Sequence, residues 1–160
     1  MRDVMGPLVD LSHTGESDYA VIRSILPVKT FVPLHSHPDR ETMLVLEGEL
    51  VVWLASSWRT FGPGEIVEIR SNALHALKNE GPEEVALVLI TTATMASFLA
   101  EISVPGRDAL VSTARLAQFA RTASAYGYRN GDLAAQQAIG MPHQDTNDDH
   151  RHTTDERKRD

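Results

Sequence analysis

No cysteine occurs anywhere in the chain. Disulfides, thiolate catalysis and sulfur-ligated metal sites are excluded together, so any metal must be held by histidine and carboxylate. Long apolar runs are missing too: none approaches the roughly 20 residues that cross a bilayer as a helix. The first residues, Met1 to Pro7, lack the apolar core and cleavage site of a secretory signal. The expectation is a cytoplasmic protein with no membrane partner. Basic charge is in deficit, with 15 Lys and Arg against 22 Asp and Glu and a net charge of −7. Phosphate binding needs the reverse balance, so no nucleic-acid partner is expected. Internal repeats and interdomain linkers are absent from the sequence as well.

What is present is ordinary in bulk: 160 residues, 42% hydrophobic and 23% charged, enough for one soluble domain with its own core. Composition divides the chain into three parts. Residues 1–92 read as short strands between turn signals, the pattern of an all-β sandwich or barrel. The runs are Tyr19 to Leu26, Thr30 to His37, Glu41 to Leu46, Glu49 to Leu54, Glu65 to Ile69, Leu74 to Leu77 and Val85 to Thr91. The two runs around Gly48 suggest a hairpin, and Pro33 and Pro38 restrict their segment to an edge or irregular strand. Residues 93–140 read as helical and as packing on the barrel or on a partner subunit. Met95 to Ile102 stops before Pro105-Gly106, and Arg107 to Tyr126 has Asp108 as its N-cap and Gly127 as its terminator. Residues 141–160 are polar, have nothing to bury and are expected to be disordered. His143, His150 and His152 fall in that tail, and His13 has no identifiable partner.

The informative segment is Pro33-Leu34-His35-Ser36-His37-Pro38-Asp39-Arg40-Glu41. Residues two apart on a strand share a face, so His35 and His37 project into one cavity. Pro38 to Arg40 turns the chain, and Glu41 opens the next strand from which a carboxylate can return to that cavity. His75, in a later segment, can complete the set. Three imidazoles and a carboxylate suit iron(II), manganese, nickel, copper or zinc and leave positions open, as in a catalytic site.

These residues carry a resemblance to the cupins, whose two motifs read G-(x)5-H-x-H-(x)3,4-E-(x)6-G and G-(x)5-P-x-G-(x)2-H-(x)3-N. His35, His37, Glu41 and Gly48 match the first, with Lys29 where its leading Gly would fall. Gly64, His75 and Asn79 match the second, with Arg70 and Asn72 replacing its internal Pro and Gly. Asn72 still tolerates a left-handed conformation there. The resemblance covers about Val21 to Ile90. It implies a single cupin domain, an all-β double-stranded β-helix or jelly-roll barrel with C-terminal α-helices. It also implies that His35, His37, Glu41 and His75 ligate one divalent metal ion. The helical continuation ending Ala125-Tyr126-Gly127-Tyr128 is similar to small cupins likened to quercetin dioxygenase.

Gly48, Gly64 and Asn79 read as structural, serving turns or a buried hydrogen bond. Phe31, Met43, Trp53, Trp58 and Phe61 read as core or wall residues. Strand parity from His35 and His37 turns Phe31 inward, and parity from Glu41 does the same for Met43, so both are candidate substrate contacts. Arg23 is the candidate cation for a substrate carboxylate. Glu41 is assigned a catalytic role as a base beside its ligating one. The family analogy suggests a mononuclear metal oxygenase acting on a small organic substrate. Alternatives are a non-redox metal-dependent isomerase, cyclase or lyase, or a non-catalytic small-molecule-binding protein. A homodimer is expected, with the apolar helix as its surface.

Overall fold

The computed structural model describes residues 1–12, 18–106 and 112–141. His13, Asp108, His143, His150, His152 and all of the 141–160 tail except Met141 lie outside the described residues. The elements in order are β1 (Arg2–Asp3), β2 (Leu8–Asp10), β3 (Tyr19–Leu26), β4 (Phe31–Ser36), β5 (Glu41–Glu47), β6 (Leu50–Leu54), β7 (Ser57–Phe61), β8 (Ile66–Ile69), β9 (His75–Lys78) and β10 (Val85–Thr92). There follow α1 (Ala93–Ile102), β11 (Val104–Pro105), α2 (Thr113–Ala125), β12 (Arg129–Asn130) and α3 (Leu133–Ala138).

The strands pair antiparallel in two sheets, in the orders β11-β1-β2-β3-β10-β5-β8 and β12-β4-β9-β6-β7. From β3 to β10 the chain alternates between them, apart from the β6–β7 pair. One core joins their inner faces: Ile22, Val45 and Leu87 from the larger sheet meet Leu50, Val52 and Leu77 from the smaller. The result is a two-sheet jelly roll, with no single closed ring of hydrogen bonds among the described residues. Burial in β3 alternates strictly over its first six residues, as a half-buried strand requires.

The runs around Gly48 do not form a hairpin. β5 pairs with β10 and β8, while β6 pairs with β7 and β9, so the chain changes sheets at Gly48. Gly48 has φ +76°, and a Cβ there would sit 2.6 Å from the Glu84 carbonyl oxygen, so only glycine fits. The true hairpin is β6–β7, through Ala55 and Ser56 with φ 51° and 66°. Two positive φ values are the geometry of a tight hairpin turn, here built without the usual Asn-Gly.

Helix α1 is capped by the Thr92 side chain, which accepts from Met95 N, and it buries Met95, Phe98, Leu99 and Ile102 in the core. Helix α2 is capped by Ser112, and Gly127 follows its end with φ +79°. α2 lies against α1 through Phe119 and Ala123 near Phe98. Apart from the buried Thr122 and the half-buried Arg115, the rest of its surface is exposed, so the broad apolar face expected of it is only partly used. Its Arg115 reaches the buried Asp3 carboxylate at 2.5 Å and ties the helix to β1.

After α2 the chain returns across the outer face of the smaller sheet. β12 pairs with β4, and Gln136 clamps Leu34, accepting from its N–H at 2.8 Å and donating to its carbonyl at 2.9 Å. Trp58 Nε1 donates to the Ile139 carbonyl, and Leu34, Ala76 and Met141 are buried together beneath. Met141 therefore belongs to the folded domain and not to the polar tail. Trp53 and Trp58 pack in this outer cluster. The larger sheet instead exposes Tyr19, Val21, Ile66 and Ile90 on its outer face. No helix among the described residues is long and apolar enough to cross a membrane.

Candidate metal centre

The site is assembled from three strands of two sheets. His35 and His75 stand directly opposite each other in the β4–β9 register, His37 follows β4, and Glu41 opens β5 across from Ile69 and Thr91. The ring centroids of His35 and His75 are 4.1 Å apart, and those of His37 and His75 4.9 Å. One ligand atom from each of His35, His37 and His75 lies within 4.8 Å of the others. Glu41 Oε2 lies 3.5 Å from His75 Nε2 and 3.9 Å from His37 Nε2.

Two turns aim these groups. Asn72, in the second motif's Gly position, has φ 60°, and its N–H donates to the His37 carbonyl at 2.7 Å. The left-handed turn thus survives without glycine and joins the two ligand-bearing segments. Lys29, in the first motif's Gly position, has φ 62°, and its N–H donates to the Asn79 carbonyl. Asn79 itself is buried and structural: its amide donates to the Leu26 and Glu83 carbonyls, and its Oδ1 accepts from Gly81 N.

Each histidine has its Nδ1 on a backbone carbonyl: His35 on Pro33 (2.7 Å), His37 on Asp39 (3.1 Å) and His75 on Ala73 (2.9 Å). A carbonyl only accepts, so each Nδ1 carries the hydrogen, and each Nε2 of the neutral ring presents a lone pair. Burial keeps the rings neutral. It pushes His35 down to about 3, aided by the charge of His75, and His75 down to about 4; it also lowers His37 against the opposing pull of Asp39. Burial, and then the Asp39 charge, push Glu41 up to about 8.

His37 Nε2, His75 Nε2 and Glu41 Oε2 are buried and have no hydrogen-bond partner. Buried polar atoms are almost always paired, and these three converge on one point. Neutral imidazoles with their tautomers set by carbonyl bonds, beside a carboxylate, form the donor set of a divalent ion of the nitrogen and oxygen type. The residues present fit such an ion.

A cavity of about 320 Å³ opens from the cluster into the core. Its walls are mainly apolar and include Met43, Leu87, Leu89, Phe98 and residues of the β1–β2 connection. Met43 and Phe31 both line it, but Phe31 does so differently from the parity expectation. The register shifts by one residue between Val32 and His35, where Pro33 lacks an N–H, so Val32 joins the inner core and Phe31 packs largely with the outer cluster. Arg23 does not line the cavity. It alternates with the inward Ile22 and Ser24 and lies exposed on the outer face of β3.

Tyr128 is the site residue that motif reading missed. Its ring lies 4.7 Å from that of His37 and stacks on Phe98 at 4.1 Å. Its hydroxyl is 2.8 Å from Met95 Sδ and 3.4 Å from Asp39 Oδ2. Burial, then the Asp39 and Glu41 charges, raise its ionisation far above the ordinary tyrosine value, so it stays a neutral phenol. Asp39 also accepts from the Thr92 hydroxyl, linking the His37 turn to the start of α1. The only sequence signal was an aromatic just after a helix-ending glycine.

Residues 22–91 match the family model described as "Cupin domain", a span that contains all four candidate ligands. No curated protein matches the sequence. Among solved structures, the chain is similar to a sugar phosphate isomerase from a cupin superfamily of Silicibacter pomeroyi. The identity is 20% over 56% of this chain and 60% of that one, with a TM-score of 0.50. It is also similar to the Cnp3 cupin domain of Schizosaccharomyces pombe, at 16% over 49% and 58%, TM-score 0.46. A third is the DMSP lyase DddQ of Ruegeria pomeroyi, at 26% over 48% and 39%, TM-score 0.44. The chain thus spans less than two thirds of each of these relatives, and the likeness to the isomerase speaks to the fold alone.

Proposed function

We propose that this chain, whose residues 22–91 match the cupin domain, is a metal-dependent enzyme of the mononuclear oxygenase type acting on a small organic substrate. His35, His37, Glu41 and His75 would hold one divalent ion. The observation that carries the reading is the convergence of three buried, unpaired ligand atoms at the end of an apolar cavity. A bound ion supplies Lewis acidity and, if redox-active, electrons for oxygen chemistry.

The chain's own residues do the rest. The carbonyl bonds at Nδ1 hold the three imidazoles in one tautomer and orientation. Where Glu41 stands off the ion, its carboxyl, raised to about 8 by burial and the Asp39 charge, would act in its ionised form to take a proton from a substrate enol or hydroxyl on a carboxylate oxygen. Met43, Leu89 and Phe98 keep water from that oxygen and orient the substrate's apolar part. Tyr128 closes the wall beside His37 as a neutral hydrogen-bonding group.

Elemental analysis of the purified protein tests the centre. Wild type should carry close to one divalent ion per chain, and His35→Ala or His75→Ala only traces; full occupancy in either variant would sink the site. The oxygenase assignment is tested by an oxygen electrode during turnover. Undiminished turnover without oxygen would move the reaction to non-redox Lewis-acid chemistry.

A further inference from the structure

The cavity has a second polar feature, remote from the histidines. Ser24 faces inward from β3, is 5% exposed and contributes to the lining. Its register neighbours are Leu87 on β10 and Val9 on β2. Its hydroxyl makes no hydrogen bond within the described residues and is not one of the fully enclosed unpaired atoms, so it opens on the cavity. An unpaired hydroxyl in apolar surroundings is disfavoured, and the strand does not need it, since Ala or Val would continue the inward apolar row of Ala20, Ile22 and Leu26.

The sheet register places Ser24 relative to the histidine cluster. Glu41 stands beside Thr91 and, across β10, beside Ala20. Ser24 is four residues further along β3, which is about 13 Å along the strand direction. The intervening inward row carries Met43, Leu89 and Ile22, and Ser24's own row carries Val45 and Leu87, all apolar. Among the described residues no lysine or arginine lines the cavity, so a second anionic group on a ligand would meet no counter-charge from them. The volume of about 320 Å³ is at the small end of ligand pockets.

We propose that the cavity takes an elongated amphiphile: an oxygen-donor head at the histidine cluster, an uncharged apolar body along Met43, Leu89 and Leu87, and a terminal hydroxyl or carbonyl bonded to Ser24. The head group rests on the metal reading above; the body and the Ser24 contact do not. Phosphorylated, dicarboxylic and zwitterionic ligands are disfavoured at this end, where no described lining residue carries a positive charge.

Calorimetric titration of zinc-loaded protein with hydroxamic acids separates the parts. Acetohydroxamic acid reads the head alone. Octanohydroxamic acid ending in methyl, hydroxyl or carboxylate reads the body and the far end. The hydroxyl-ended probe should bind roughly 100-fold or more tightly than acetohydroxamic acid. Ser24→Ala should weaken the hydroxyl-ended probe by about fivefold and leave the methyl-ended one unchanged. The carboxylate-ended probe should bind most weakly of the three. Tight binding of the carboxylate-ended probe, or equal losses for all three in Ser24→Ala, overturns the proposal. If acetohydroxamic acid binds and the chain adds nothing, the metal reading stands and this one falls. If zinc does not bind, the metal reading falls, and thermal shifts of the metal-free protein with 1,8-octanediol decide this one. A shift that Ser24→Ala diminishes supports it, and no shift in wild type overturns it.

Discussion

At the residue scale the centre was legible because its geometry is local or motif-bound. H-x-H on one strand and a carboxylate after a turn suffice to place His35, His37 and Glu41 together, and the second motif's spacing adds His75. Arg23 lies outside the cavity lining because its identity as a cation said nothing of its parity, which its neighbours Ile22 and Ser24 decide. Tyr128 failed because the contact with His37 joins residues some ninety positions apart. Glu41 is where two roles meet, and Glu41→Gln separates them. The amide keeps the shape and one neutral oxygen donor but cannot accept a substrate proton. Turnover should fall by about 100-fold or more, while metal content by elemental analysis falls far less than in His75→Ala. Equal loss of metal and activity would reduce Glu41 to a ligand. Lys29 offers a stability test. A side chain at φ 62° costs about 1–2 kcal/mol, partly offset by the greater unfolded freedom of glycine. Lys29→Gly should therefore leave urea stability unchanged or raise it by up to about 1 kcal/mol. A clear loss would show that the lysine side chain matters more than the backbone.

At the element scale the strands were legible and their partners were not. Alternating burial in β3 and the apolar run of β10 announce themselves, but a hairpin is a statement about pairing. Gly48 has the positive φ of a hairpin turn and serves instead where the chain changes sheets, pressed against the Glu84 carbonyl. The real two-residue turn, Ala55-Ser56, carries none of the residues that usually mark it, so β7 was invisible. The shift at Pro33 likewise broke the parity used for Phe31. The segment from β12 to Met141 had no periodic signal, because short elements held by side-chain clamps leave none. Gln136 is the clamp to test. Gln136→Ala leaves the Leu34 N–H unpaired under the outer cluster, while Gly131 N still serves the Leu34 carbonyl. The expected cost is about 1–3 kcal/mol in denaturant unfolding, and an unchanged midpoint would mean that the clamp adds nothing.

At the scale of the whole molecule, the fold holds three neutral imidazoles and one carboxyl at the wall of an apolar cavity, and stability without metal should record that through pH. The unfolded chain titrates its histidines near 6.5, but folded His35 and His75 sit near 3 and 4, and His37 is lowered too. Their contribution is present above about pH 6.5 and is lost as pH falls toward those folded values, because the unfolded chain binds protons that the folded one refuses. Glu41 runs the other way. Raised from 4.5 to about 8, it contributes stability below its unfolded value and loses it as pH climbs through about 8. Between the two unfolded values three groups gain against one losing; above 6.5 only the loss remains. Metal-free protein should therefore be most stable near pH 6.5 from these groups, weakening toward pH 4 and again toward pH 8.5. Zinc should remove the alkaline decline in particular, since ligation favours the ionised carboxylate that burial disfavours. Thermal midpoints at pH 4, 6.5 and 8.5, with and without zinc, read all of this in one series. A metal-free midpoint that stays level from pH 6.5 to 8.5 would show that the Glu41 carboxyl is solvated, and would remove the unpaired oxygen from the argument for the centre.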